Sequence, residues 1–463
     1  MTVASARTEP RLQPDTPTAD SIPIRSRVAR LWIAGAVLAM LLVGTVAQAE
    51  DSEPAYRLEI GGEERVRTEN WENLSDFDDD LDDTRHQWRF RTRVWSNFHI
   101  GARHTFAIGL NNESRKLTTP DTEFSWDEVV FETLYFESKI ASATTIRVGR
   151  QNVARDDGWL VFEGGPLDGS RTGYFNALDA TYEGESSKLQ LLVVSDPSTD
   201  EYLPRLNDKD KRLIEWDELA AGLAYTNTGL AATEFQGYWY WKRESDDFRA
   251  ESDPQRQPDR DLHTLGGRFE RQLPHGWSLM VDVAGQMGSQ DPDSDIRAWG
   301  SEASLEKTFA HATKPLLGVS WVGLSGDDPG SADNEGWDPL FARWPKWSEL
   351  YLYTLAGERG VAYWTNLAMG RLRFEITPWT PLHVHASCSR LRAFEKPTGQ
   401  ASLYDTKTRG DLFELRADLR LNERWRGHVL GELFRPGGFY ASHDDAWFLR
   451  AEIIASFAHI FEF

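Results

Sequence analysis

Arg89, Arg91 and Arg93 are spaced two apart, and their type and spacing suggest chemistry directly. Alternate residues of a strand share a face, so on a strand the three guanidinium groups stand about 7 Å apart along one wall. Arginine keeps its charge at any physiological pH and presents a planar fork that fits a carboxylate in bidentate fashion. Such a ladder hands an anion from one cation to the next, by the weak, repeated binding that passage through a pore demands. A plainer role is pairing with carboxylates of the same wall, such as Glu59, Glu63, Glu132 and Asp282, and the two roles are compatible. Trp95 falls on the same polar face, where an indole can stack on a sugar ring.

Bond-making chemistry has thinner support. Ser442-His443-Asp444 holds the residue types of a hydrolytic triad, but sequential neighbours do not define one, and no Gly-x-Ser-x-Gly elbow occurs. His383 and His385 share one strand face at a ligand-like spacing, yet no third His or Cys stands near and Cys388 falls on the opposite face. The Asp78–Asp83 run offers oxygen ligands to calcium without the spacing of a binding loop. The expectation is therefore no enzyme, no cofactor and no metal centre. Two competing classes remain, an outer-membrane barrel enzyme acting on lipid or polysaccharide and a plugged structural barrel.

The elements that must position these residues are strands with two different faces. From Arg85 to Ile100 the even positions carry Trp88, Phe90, Val94, Phe98 and Ile100, and the odd ones carry Gln87, the three arginines, Asn97 and His99. The pattern recurs at Arg371 to Ile376 and at Phe413 to Leu421, and in each segment charged residues of both signs occupy the polar face. A soluble sandwich also alternates, but its water-facing side prefers no particular chemistry, whereas paired Arg and carboxylate on strand after strand suit the wall of an aqueous lumen.

The links between the strands keep a rhythm. Short ones are expected near 101–103, 139–142, 185–186, 228–230, 273–276, 310–314, 378–381 and 422–424. Long ones are expected near 70–84, 114–127, 152–171, 196–217, 244–261, 288–294, 325–364, 394–409 and 436–445. That rhythm predicts an all-β, up-and-down antiparallel transmembrane barrel of about 18 strands over residues 50–463, with short periplasmic turns and long extracellular loops. The 325–364 loop, rich in Gly and Asp, is expected to be the most mobile. The 19 Trp and 13 Tyr supply interfacial girdles, with Trp239, Tyr240, Trp241 and Trp364 placed there.

Residues 1–49 read as a signal peptide. An apolar run from Leu31 to Val46 follows Arg25, Arg27 and Arg30 and precedes Ala47-Gln48-Ala49, a small-x-small cleavage pattern. The run is short of the roughly 20 residues a membrane helix needs. Removing residues 1–49 takes five arginines and three acids, leaving 46 basic against 70 acidic residues, which argues against nucleic acid as a partner. A lone cysteine, Cys388, excludes an intramolecular disulfide, so an exported chain needs another source of stability, which barrel closure supplies. The last segment ends Phe461-Glu462-Phe463, and a terminal aromatic resembles the signal read by the barrel assembly machinery of the Gram-negative outer membrane.

Gly149-Arg150-Gln151, Asp157-Gly158-Trp159 and Gly165-Pro166-Leu167-Asp168-Gly169-Ser170-Arg171 together resemble the alginate export family of outer-membrane porins. Asp338-Pro339-Leu340-Phe341 is a weaker echo of the same family. The resemblance implies an 18-stranded monomeric barrel in outer-membrane lipid, with an arginine-rich lumen that passes an anionic polysaccharide or smaller anionic solutes. It assigns Arg150, Asp168 and Arg171 to a loop folded inward near the constriction. Arg89, Arg91, Arg93 and Arg147 complete the candidate selectivity residues.

Overall fold

The computed structural model describes residues 56–463 apart from 75–76, 163–174, 205, 207–213, 248, 250–255, 355–359, 361 and 397–405, and apart from the side chains of residues 127 and 128. Among the described residues, eighteen strands form one sheet: β1 Tyr56–Glu72, β2 Arg85–Ile100, β3 His104–Thr119, β4 Ser125–Ala141, β5 Thr144–Gln151, β6 Phe175–Glu183, β7 Ser187–Asp196, β8 Asp217–Asn227, β9 Thr233–Ser245, β10 Arg260–Leu273, β11 Trp277–Gln290, β12 Ser294–Thr308, β13 Leu316–Leu324, β14 Leu367–Trp379, β15 Leu382–Arg392, β16 Thr408–Arg420, β17 Trp425–Pro436 and β18 Ala446–Glu462.

Each strand pairs antiparallel with the next, and β1 pairs with β18 from Arg57 opposite Glu462 to Glu72 opposite Trp447. Phe463 N donates to Tyr56 O at 3.0 Å at the end of this seam. Closure leaves no edge strand, which a bilayer requires because it offers no partner to an open backbone group.

The alternation in the sequence becomes the two faces of the wall. Val94, Leu265, Val283, Leu372, Leu415, Val429 and Ile453 are exposed on the outside, where hydrocarbon is the solvent. On β1 the other parity carries Glu63, Arg65, Arg67 and Glu69, all buried on the inside.

Eight short links gather at one rim with both strand termini, and the long ones gather at the other; in outer-membrane barrels the short-turn rim faces the periplasm. The expected rhythm holds with two corrections: the link placed at 114–127 is only 120–124, because β3 runs on to Thr119 and β4 starts at Ser125. The link placed at 288–294 is only Asp291-Pro292-Asp293, because β11 and β12 pair to their tips, Gln290 opposite Ser294. On the other edge of β11, Gly288 permits the close approach of β10, since a Cβ there would fall on the Asp261 carbonyl.

Two further expectations are corrected. Trp239 is exposed on the outside, but its neighbour Tyr240 points inward and is buried, as the two-residue period dictates, and Trp364 is buried within a loop. The loop expected to be most mobile is packed: Trp337, Leu340, Phe341, Trp347, Leu350, Tyr351 and Leu352 join one hydrophobic cluster with the inward side chains Tyr238, Tyr240, Leu430 and Phe448. Burial of those side chains outweighs the loop's Gly and Asp content, whose exposed part lies at 327–332.

Candidate functional site: the lumen and its inserted loops

Strand register builds the first part of the site. On β1 and β2, Arg65 stands opposite Arg91 and Arg67 opposite Arg89, a two-by-two block of guanidinium groups. Like charges directly opposed across a strand pair destabilise it, so carboxylates must interleave. Glu69 accepts from Gln87 (2.7 Å), Arg89 (3.2 Å) and Arg450 (2.8 Å). Glu452 meets Arg67 at 2.6 Å and His428 at 3.3 Å, and Glu63 meets Arg91 at 2.9 Å and is bonded to Arg426. Arg93 donates to Glu132 at 2.7 Å.

Accessibility divides the predicted ladder. The Arg89 side chain is 1% exposed, Arg91 11% and Arg93 26%. Arg89, fixed between Glu69 and Glu113, is a wall anchor that a passing solute does not touch, which corrects its place in the ladder; Arg93 is open to the lumen. Trp95 lies inside as expected, with its ring over Gly61 where a Cβ would collide.

Arg147 on β5 is a third exposed, grips Glu137 with two N–H groups (2.9 and 2.6 Å) and lies 4.6 Å from the centre of the Tyr135 ring. Arg150 is fully buried and holds Asp200 of the 197–216 link in a fork (2.8 and 2.7 Å), with Asn176 as a further acceptor at 3.0 Å. It is therefore a strand residue that fastens that link, not a residue of the inward loop. The adjacent Gly149 has φ of +123° and a Cβ would strike the Leu134 carbonyl, so the Gly-Arg pair is a backbone requirement as well. Asp168 and Arg171 lie outside the described residues.

Two loops enter the lumen and meet there. Residues 152–162 carry a two-residue ladder, Ala154–Arg155 against Val161–Phe162, around a turn of Asp156-Asp157-Gly158, whose φ values are all positive. The loop from 325 to 366 supplies Trp337, which stacks on Trp159 (5.4 Å), and Trp344, which stacks on Phe162 (4.3 Å). Phe341 N donates to Leu160 O at 3.0 Å, and Trp344 Nε1 donates to Gly158 O at 2.9 Å. The two family-like segments, Asp157-Gly158-Trp159 and Asp338-Pro339-Leu340-Phe341, thus belong to one aromatic plug.

The wall fastens the plug on several sides. Lys242 of β9 donates to Leu340 O (2.8 Å) while pairing with Glu218 and Glu244 (2.7 Å each). Arg260 of β10 meets Asp338 at 2.9 Å, and Gln286 of β11 bonds both backbone groups of Asp338 (2.8 and 2.9 Å). Across the lumen, Glu432 of β17 accepts from the backbone N–H of Glu349 and Leu350 (2.9 Å each) and from Ser348, and Arg450 of β18 pairs with Glu349. Outside the strands, Arg343 grips Glu215 at 3.0 and 3.1 Å. Burial opposes ionisation of Glu215, but the guanidinium outweighs it and holds the carboxyl below the usual glutamate range. Asp156 goes the other way: burial pushes its carboxyl up, against the opposing bond from Gln236 at 2.7 Å.

Towards the short-turn rim, two cavities of about 430 and 410 Å³ adjoin the plug. The second is lined by Arg268, Lys346, Arg371 and Arg373 together with Asp157, Glu270, Glu302 and Glu306, a balanced set of charges. The sequence reading left out Arg65, Arg67, Arg426, Arg450 and this basic group as site residues. Arg65 and Arg67 carried the same two-residue spacing as the ladder and could have been found by it.

Among the described residues no group of His, Cys, Asp and Glu is arranged to hold a metal ion. The Ser442 hydroxyl is bonded to Asp78 (3.3 Å), and Asp444 accepts from Asp79 N (3.0 Å), so both serve to hold one loop against another. His383 faces Glu375 (3.4 Å), and His385 lies 3.4 Å from Arg371.

A closed eighteen-stranded barrel with an ion-paired lumen and long loops folded into it has the architecture of an outer-membrane porin. The chain belongs to the alginate export family, whose model matches residues 56–451. In fold it is similar to Pseudomonas aeruginosa OprD (TM-score 0.55, 9% identity, 89% of this chain and 96% of that one) and to P. aeruginosa OccK5 (OpdH) (TM-score 0.54, 11% identity, 87% and 98%). P. aeruginosa OccD3 (OpdP) is also similar (TM-score 0.52, 11% identity, 89% and 93%). Among curated protein sequences none matches.

Proposed function

We propose that this outer-membrane channel passes anionic solutes, of which polyuronate oligomers are the class its family name suggests, and that it catalyses no reaction. The observation that carries the reading is a set of lumen arginines that are paired yet accessible. Arg93, Arg147, Arg373 and Arg426 have side-chain exposures of 26, 33, 33 and 45%. A solute carboxylate can exchange with the wall carboxylate on each fork, which gives weak, repeated binding. The buried Arg89 and Arg150 support this path by holding the wall and the loops.

The test is the zero-current potential of the refolded barrel in a planar bilayer under a salt gradient, followed by addition of oligouronates. Anion selectivity with block by the oligomers is expected. Cation selectivity sinks the reading. A potential near zero without block favours a general porin, the alternative to which the balanced cavity at Arg371 and Arg373 points.

The signal-peptide reading belongs to the same proposal. Residues 1–49 are removed on export, and Phe463, 70% exposed at the end of β18, is read by the assembly machinery. Mass spectrometry of the membrane-inserted chain should give an N-terminus at Glu50; a retained Leu31–Val46 segment refutes cleavage.

A further inference from the structure

On the outside of the barrel, near the long-link rim, two arginines share one carboxylate. Arg390 and Arg392 stand on the outward parity of β15 with the exposed Cys388, while Ser389 and Leu391 are buried on the inward parity. The Arg390 side chain, 58% exposed, donates to Asp411 of β16 at 2.6 Å. Arg392 is exposed, and among the described residues no carboxylate pairs with it. Both are within the last three residues of the strand, so the wall turns a surplus positive charge toward the lipid headgroups of the long-link side. Arg297 of β12, at the same rim, carries no such surplus, since it meets Asp295 at 3.0 Å and Asp333 at 3.3 Å.

The wall beside these arginines is notched. Register sets Arg392 opposite Ala368 and Ala368 opposite Gly323, and it sets Arg390 opposite Gly370 and Gly370 opposite Trp321. A Cβ on Gly370 would meet nothing within 4 Å, so no side chain overhangs the middle of the notch. On the far flank Trp299 lies over Gly323, 3.0 Å from where a Cβ would stand, and Phe394 meets Trp299 edge-on at 5.1 Å. From β13 to β15 the notch spans two strand spacings, about 10 Å. Toward the short-turn rim it opens onto Val319, Leu372 and Phe374, all exposed to hydrocarbon.

Each flank asks for a different part of one molecule. Guanidinium forks fit phosphate oxygens, and Arg390 keeps N–H groups beyond the one given to Asp411. Indoles at the boundary of lipid and water offer an apolar face to a ring. We propose that the notch binds one outer-leaflet lipid whose headgroup is a phosphorylated sugar. The phosphate lies on Arg390 and Arg392, the sugar ring lies against Trp321 and Trp299, and the acyl chains run along Val319, Leu372 and Phe374. Charge complementarity selects the phosphate, and the aromatic flank selects a sugar over a glycerol headgroup. The site is on the outer wall and stands apart from the solute the lumen carries.

The experiment is native mass spectrometry of the mature barrel released from detergent micelles. It is titrated with bisphosphorylated lipid A, with the same lipid A stripped of phosphate, and with phosphatidylglycerol. Bisphosphorylated lipid A should bind, and the other two at least ten-fold more weakly. The double variant Arg390→Ser, Arg392→Ser should weaken lipid A binding at least ten-fold. Arg297→Ser should leave it unchanged, because that guanidinium is already neutralised on the wall. Heat-modifiable migration shows that the variants fold. Equal binding of either comparison lipid, an equal loss in Arg297→Ser, or displacement of lipid A by inorganic phosphate overturns the proposal. Should the double variant not fold, the ranking of the three lipids on the unaltered barrel decides.

Discussion

At the scale of the residue, the lumen arginines divide by what removing each one leaves behind. Arg89 is buried between Glu69 and Glu113, so Arg89→Ser takes a buried counter-charge from both, although Glu69 keeps Arg67 and Arg450. Breaking a buried pair from one side costs about 3 kcal/mol, and denaturant unfolding of the refolded barrel should show a loss of that order. Arg93 is open to the lumen, and its partner Glu132, itself buried, keeps a donor in Asn152 at 3.3 Å once the guanidinium is gone. Arg93→Ser should therefore lower anion selectivity in the reversal potential and hardly move the unfolding midpoint. Equal effects of the two variants on either quantity would refute the division. The sequence shows that these arginines share a face. It does not show which are buried, because burial depends on Glu349 and Arg450, distant in sequence from Arg89 and brought close by barrel closure and loop insertion.

At the scale of the element, the strands were legible and the long loops were not, for one physical reason. A wall between hydrocarbon and water imposes a period of two on each strand, and that period is written in the sequence from Arg85 to Ile100 as plainly as from Ala446 to Phe463. A loop that packs into a lumen obeys no period. Trp337, Leu340, Phe341, Trp347, Tyr351 and Trp364 are buried at irregular spacings among Gly, Asp and Pro, so composition suggested a loose loop where contacts make a compact one. Its fastening at Glu349 is a direct target. Glu349→Gln removes the ion pair with Arg450 and leaves Arg450 paired with Glu69. Single-channel recording should then show larger or more frequent openings with the barrel still folded; unchanged conductance would mean that this fastening does not limit the pore.

At the scale of the whole molecule, the plug couples the channel to pH through a group outside the strands. Glu215 has its carboxyl held below the ordinary value of 4.5 by Arg343, so the pair contributes fully above that value and is lost as pH falls through the lowered one. Acidification below the ordinary glutamate range should release the 325–366 loop from the 197–216 link and raise conductance. Glu215→Gln should show the raised level already at neutral pH, with the acid step removed. A conductance that falls with acid, or an acid step retained in the variant, contradicts this coupling.

Two sets of tryptophans have different optical surroundings. Trp159, Trp337, Trp347 and Trp364 are buried in the plug, whereas Trp88, Trp239, Trp299, Trp321 and Trp425 face outward. Brominated acyl chains reach only the second group, so they should quench part of the emission and leave the rest blue-shifted. Aqueous acrylamide should reach the four plug tryptophans only when the plug departs. The protein thus carries its own fluorescent gauge of whether the lumen is filled, readable in a cuvette without current or label.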